Sequence, residues 1–378
     1  MGKVYITNLS KFLPNKPISN DEMEDYLGLV NNKPSKTRRI ILRNNKIKTR
    51  YYAIDKNGNS THTNAELSVE AIKGLENESF CLSDMQLLSG GTTSPDLLLP
   101  SHTTVVQNIL ALNAIEIMSP AGSCNAGMQA LKYCYLSVKS GETANAVSFG
   151  SEKLSTWMQS KNFKLESHSW NDLEEKPILA FEKDFLRWML SDGAGAALLQ
   201  NKPNVNALSL QIDWIDFRSY SNELDICMYA GGEIVEGKGI KPWRDFESSE
   251  IMDRSLFSLR QDATLLGKHI VKKGGEYLSK VVAKRQLDIN SIDYFLPHIS
   301  SEYFRKYMFE DLEERGMNIP LDKWFTNLTR VGNVGAASIY LMLEELINSD
   351  RLKNGEKILL MVPESASFSY AFALLTVV

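Results

Sequence analysis

At 378 residues the chain is longer than one ordinary domain, and 43% hydrophobic with 23% charged residues is the balance of a globular protein able to bury a large core. A net charge of −4 argues against nucleic acid as a general partner. Cys81, Cys124, Cys134 and Cys227 stand far apart with no CxxC pair, a spacing that gives neither a zinc site nor a disulfide framework, so no metal is expected and a cytoplasmic setting is the simplest. Met1–Ile6 holds no stretch suited to a signal peptide, and Ile6 breaks the myristoylation pattern. Apolar runs such as Tyr370–Val378 are strand-sized, so no membrane span is expected.

In chain order, strand and helix patterns alternate, which predicts an α/β fold. Lys3–Thr7 reads as a strand. Ser19–Glu22 carries N-cap chemistry for a helix through Leu29. Apolar positions Ala65, Leu67, Val69, Ala71, Ile72 and Leu75 predict a helix over 64–75, and 101–112 predicts another. The run Ala114–Met118 precedes the small-residue turn Pro120-Ala-Gly-Ser-Cys-Asn-Ala-Gly127, after which Ala126, Ala130, Leu131, Cys134 and Val138 recur at helical spacing. Strands follow at Asn145–Phe149 and Gly195–Leu199. The second half echoes the first: the turn Thr329–Asn333 leads to a helix over Ala336–Ile347, then strands at Lys357–Val362 and Tyr370–Val378. Two halves, 1–204 and 205–378, meet near Asn201–Asn204. Segments 151–190 and 218–255 are irregular and aromatic (Trp157, Trp170, Phe181, Phe185, Trp188, Tyr220, Tyr229, Trp243), as in a cap or pocket wall, the first forming an insert at about 151–190; an added packing layer is the other reading.

Cys124 is the residue with the clearest chemistry. A thiol between a strand and a helix start meets free backbone N–H groups and the positive end of the dipole, both of which favour the reactive thiolate. Cys134, on the apolar stripe of the helix, reads as core. Of five histidines, only His298 follows a strand-like run, Ile292–Leu296, and precedes the helix-start residues Ser300-Ser-Glu302. Asn333 offers an amide in a third small-residue turn, Gly332-Asn-Val-Gly-Ala-Ala-Ser338.

In this order, Gly122-Ser-Cys-Asn-Ala-Gly127, Ser191-Asp-Gly-Ala-Gly-Ala196, Leu296-Pro-His-Ile-Ser300 and Gly332-Asn-Val-Gly-Ala-Ala-Ser338 resemble the thiolase-like condensing enzymes of the β-ketoacyl-acyl carrier protein synthase III type, as does the opening Ile6–Pro14. The resemblance runs nearly end to end. It implies a five-layered αβαβα thiolase-like fold of two similar halves, usually a homodimer. It implies catalysis by Cys124, His298 and Asn333: the cysteine takes an acyl group from a thioester, while the histidine and asparagine hold the enolate oxygen of a second thioester during Claisen attack. It implies no tightly bound cofactor, with coenzyme A or phosphopantetheine thioesters as substrates and an acyl carrier protein as partner.

Three departures narrow the picture. The family's glycine-rich C-terminal loop is Pro363-Glu-Ser-Ala-Ser-Phe-Ser-Tyr370 here; Leu99 stands where relatives coupling two long chains carry a glutamate; and no second cysteine lies in a C-x-G turn. Ser167–Pro177 and Trp188–Gly193 resemble the ketosynthases that form cyclohexanedione precursors of dialkylresorcinols. Fatty-acid initiation from a malonyl thioester is the first alternative, and a non-catalytic acyl-binding partner of another ketosynthase is the second. For carrier or coenzyme A phosphates, the eight basic residues between Lys33 and Arg50, among them Arg38, Arg39, Arg43 and Arg50, and the pair Arg305 and Lys306 are candidates; a solvated loop is the plain alternative.

Overall fold

The computed structural model describes residues 2–35, 37–163, 185–235 and 239–378. Trp170, Phe181 and the Ser167–Pro177 resemblance lie outside the described residues, as does Lys36 of the basic run. Among the described residues the main sheet has nine strands: β1 (Tyr5–Phe12), β2 (Leu87–Gly91), β3 (Glu116–Met118), β4 (Asn145–Glu152), β5 (Gly193–Gln200), β6 (Leu210–Ser219), β7 (Tyr294–Pro297), β8 (Lys357–Glu364) and β9 (Ser369–Val377). Their order is β3-β2-β4-β5-β1-β6-β9-β8-β7.

That order repeats. From the centre outward one half runs β1, β5, β4, β2, β3, and the other β6, β9, β8, β7, with a parallel bridge from Phe295 to Trp324 where a fifth strand would pair. In each half the first three strands pair antiparallel and the fourth joins in parallel. The halves meet at Tyr5–Gln211 and Ile6–Leu210.

Burial on both faces of the strands creates the layers. On β8, Ile358, Leu360 and Val362 face a middle core, whereas Leu359 and Met361 face an outer one. The middle core is filled from the helices Ala126–Ser140 (Met128, Leu131, Val138) and Ser338–Ile347 (Ile339, Leu343, Leu346). Outside one half packs Asn64–Lys73, started by a Thr63–Glu66 capping box; outside the other packs the 23-residue helix Ala263–Arg285, capped by Asp262. Helix, sheet, helices, sheet, helix is the expected five-layer arrangement.

Local differences have local causes. The first helix spans Met23–Leu27 and stops before Leu29 because Gly28 turns left-handed at φ 73°. The helix expected over 101–112 spans His102–Ile109. The basic run is a helix over Arg38–Asn45 rather than a loop. Segment 218–255 holds a two-stranded hairpin (Gly232–Val235 with Gly239–Pro242) and a short helix, Ser248–Asp253. Both readings of its side chains hold: Tyr220 is core, packed on Tyr277 and Tyr370, while Met228 lines the pocket described below. No helix among the described residues is long and apolar enough to cross a membrane.

Candidate active site

One pocket gathers the three residues singled out by chemistry. Cys124, His298 and Asn333 line it, with Thr93 and Gln261 as further polar groups and a wall of Leu154, Leu186, Met189, Met228, Leu259 and Ile270.

Each reaches the pocket from the end of an element. Cys124 lies two residues before the helix Ala126–Ser140, half-buried, with Asn125 at the N-cap. His298 follows β7, its N–H donating to the Met361 carbonyl of β8 at 2.8 Å. Asn333 is held by its backbone, which donates to Met189 O and accepts from Ser191 N, both at 2.9 Å. Its side-chain oxygen accepts the Gly335 N–H at 3.0 Å, so the amide NH₂ is the group left to donate.

Two glycines bring the halves close enough for this. A methyl group on Gly127 or on Gly150 would sit 2.2 Å from the Ala336 carbonyl oxygen, well inside contact distance. Tyr340 locks the approach, donating to Gly127 O at 2.7 Å and lying 2.6 Å from the Ser148 hydroxyl.

Beneath the turns lies a carboxylate that sequence reading missed. Glu152, fully buried at the end of β4, accepts from the Thr93 hydroxyl (2.6 Å), the Ser94 hydroxyl (2.7 Å) and the Ala336 N–H (3.2 Å). It ties the pocket wall at Thr93 to the asparagine turn, and burial raises it to about 7. Asp192, of the Ser191–Ala196 motif, accepts from the N–H groups of Ala53, Leu154 and Ser155 and so ties that motif to two other segments. Glu152 had no sequence signal beyond a charge closing an apolar strand.

The electrostatics overturn the expected thiolate. Burial pushes the Cys124 thiol up, and the carboxylates of Glu364 and Glu152 push it further, so the resting group is a thiol despite the nearby helix end. Burial also lowers His298 to about 4, so its imidazole is neutral at neutral pH and free to accept a proton. Among the described histidines His298 alone lines the pocket; His102 is buried elsewhere between Ser68 and Ser151.

Residues 282–377 match the family described as 3-oxoacyl-[acyl-carrier-protein (ACP)] synthase III C terminal. Along its whole length the chain is similar to β-ketoacyl-[acyl-carrier-protein] synthase III of Clostridium novyi, 25% identical over 365 residues that cover 96% of this chain and 95% of that one. The chain is thus similar to the synthase III condensing enzymes over nearly its whole length. The corresponding Rickettsia prowazekii protein is 25% identical over 366 residues, 96% of each. In fold the synthase III-like chain superposes on AbyA1, a tetronic acid condensing enzyme (TM-score 0.76, 19% identity, 99% of both chains). It superposes likewise on OleA of Xanthomonas campestris (TM-score 0.73, 16% identity, 99% and 98%).

The basic candidates divide. Arg50 is corrected: it is wholly buried, donating to Asn20 Oδ1 at 2.6 Å, and cannot touch a carrier at the surface. Arg38 serves the fold, paired with Glu24 at 2.7 Å and lying over Trp188. Arg39 and Arg43 are exposed on the helix Arg38–Asn45. Arg305 pairs with Glu302 at 2.6 Å and Lys306 with Glu310 at 3.6 Å.

Proposed function

We propose that this enzyme joins two acyl thioesters by Claisen condensation through an acyl group carried on Cys124. The observation that carries the reading is that Cys124, His298 and Asn333 share one apolar pocket. In loading, neutral His298 takes the Sγ proton, sulfur attacks the thioester carbonyl, and the proton passes to the departing carrier thiol. The second thioester then loses CO₂, or gives up an α-proton to solvent, and the sulfur released at the end takes a proton back. The His298 imidazole N–H and the Asn333 amide donate to the resulting enolate oxygen, whose α-carbon attacks the Cys124-bound carbonyl and releases the sulfur.

The wall of Leu, Met and Ile side chains suits an alkyl chain on Cys124. Within that reading the second partner is a β-ketoacyl thioester and the product a 1,3-cyclohexanedione precursor of a dialkylresorcinol, supported by the resemblance at Trp188–Gly193. Arg39 and Arg43 are the exposed cations we assign to an acyl carrier protein or to coenzyme A phosphates. The exposed triplet Leu97, Leu98 and Leu99, up to 86% accessible at Leu99, suits burial against a second copy in a cytoplasmic homodimer.

Intact-protein mass spectrometry with an acyl thioester, beside product analysis with paired β-ketoacyl and acyl thioesters, tests this. A mass gain mapped to Cys124 and a condensed product are expected. A gain that persists in Cys124→Ala, or none with any thioester, would leave an acyl-binding partner. Condensation only with malonyl thioester would mean fatty-acid initiation.

A further inference from the structure

The loop after β8, where glycines are missing, places a carboxylate against the nucleophile turn. Glu364 closes β8 and is 6% exposed; its neighbours Pro363 and Ser365 line the pocket, and it does not. Its Oε2 accepts the Ser123 N–H at 3.3 Å, and a methyl group on Gly122 would lie 3.5 Å from that oxygen. Burial raises this carboxyl above its ordinary value, and the Ser123 and Asn125 N–H groups with the Ser367 and Ser369 hydroxyls offset that only in part. Asn125 Nδ2 in turn donates to Ser369 Oγ at 2.8 Å. Residues on both sides of Cys124 are thus fastened to the β8–β9 loop, and a carboxylate lies against the backbone just ahead of the helix that follows the sulfur.

We propose that Glu364 is a positioning residue for Cys124: its carboxylate holds the Ser123 amide just ahead of the nucleophile, fixes the turn, and keeps the sulfur protonated until His298 takes the proton. Beside a buried anion a thiolate is repelled, whereas a thiol is not. Glu152 beneath the turn adds repulsion of the same sign, and across the pocket His298 is neutral. Loading then waits on the His298 base, which guards the sulfur against adventitious alkylation and oxidation while no thioester is bound.

The proposal rests on Cys124 being the nucleophile, yet alkylation reads the thiol whether or not any thioester reacts, so the two ideas fail separately. Iodoacetamide labelling of Cys124 is followed against pH by peptide mass spectrometry, with the exposed Cys81 replaced by Ser. In the otherwise wild-type protein the midpoint is expected above the ordinary thiol value of about 8.5; a midpoint below it overturns the proposal without any variant at Glu364. Glu364→Gln keeps the shape and an acceptor oxygen but removes the charge. It is expected to move the profile to lower pH, with labelling at pH 7 about tenfold faster for each unit moved. Glu364→Asp, which keeps the charge, is expected to stay near the parent profile. A Gln variant superposing on the parent, or an Asp variant behaving like Gln, overturns the assignment.

Discussion

Replacing His298 by Asn removes one buried ionisable group and should change how the protein responds to acid. Burial sets the folded-state value at about 4 against 6.5 for a free imidazole. Above pH 6.5 both folded and unfolded states hold the ring neutral, and nothing is lost. As pH falls below 6.5 only the unfolded state takes up the proton, so stability declines; below about 4 the folded state protonates too and the loss levels off. At 1.36 kcal/mol per unit, acidification from pH 8 to pH 4 costs the native fold about 3 kcal/mol through this one residue. Urea unfolding of wild type and His298→Asn at the two pH values gives the comparison. Whatever the variant loses at pH 8, it should lose about 3 kcal/mol less than wild type on acidification. Equal acid losses in the two proteins would show that His298 is not held neutral, and would remove the proton acceptor on which loading of Cys124 depends. His102, also lowered to about 4 by burial but not lining the pocket, is the control: His102→Gln should blunt the acid loss in the same way and leave the pH profile of loading unmoved.

Gly127→Ala forces the new methyl group to within 2.2 Å of the Ala336 oxygen, so the asparagine turn must give by about 1 Å. Condensation should fall on the order of a hundredfold, and stability by about 1–3 kcal/mol, with full turnover at an unchanged melting temperature as the contrary result. Asn333→Ala removes a donor to the enolate but not the loading base, so acyl-enzyme should accumulate while product formation drops by about 10²–10³; loss of the acyl adduct itself would reassign the residue. Reversing Arg39 and Arg43 to Glu, with Arg38 left to hold Glu24, should raise KM for a carrier-borne thioester in a salt-sensitive way and spare kcat on a short thioester. A KM that stays put returns these arginines to ordinary solvated charge.

What could be read from the sequence was whatever local chemistry enforces. The nucleophile turn, the helix after it and the strands ending the chain follow from small residues, 3.6-residue periodicity and apolar runs, and all lie within a few residues of expectation. β2 was missed because Leu87-Leu-Ser-Gly-Gly91 is short and ends in glycines, which weigh against a strand until a neighbouring backbone needs the room; a methyl group on Gly91 would lie 2.2 Å from Ala126 backbone. The helix Ala263–Arg285 was missed because its apolar stripe is interrupted by Gly274 and Gly275. Gly274 faces Met361 and Tyr370 and Gly275 faces Asp311, contacts made by residues far along the chain. Arg50 misled for the same reason: within a basic run its charge reads as surface, and only the fold encloses it beside Asn20.

The thiolate expectation failed through a long-range contact too. A cysteine beside a helix start also feels charges its own segment does not carry, and Glu364 comes from 240 residues further on, at a distance of 3.3 Å from the Ser123 nitrogen. Pairing of β8 with β9, from Lys357–Thr376 through Glu364–Ser369, fixes where that carboxylate and Ser369 lie, and the nucleophile turn bonds to both. The same strand supplies the Met361 carbonyl that anchors His298. On the proposed roles, a single strand therefore positions the base on one side of the pocket and restrains the nucleophile from beneath. Proton removal from Cys124 then becomes a property of the assembled C-terminal half rather than of the helix that carries the sulfur.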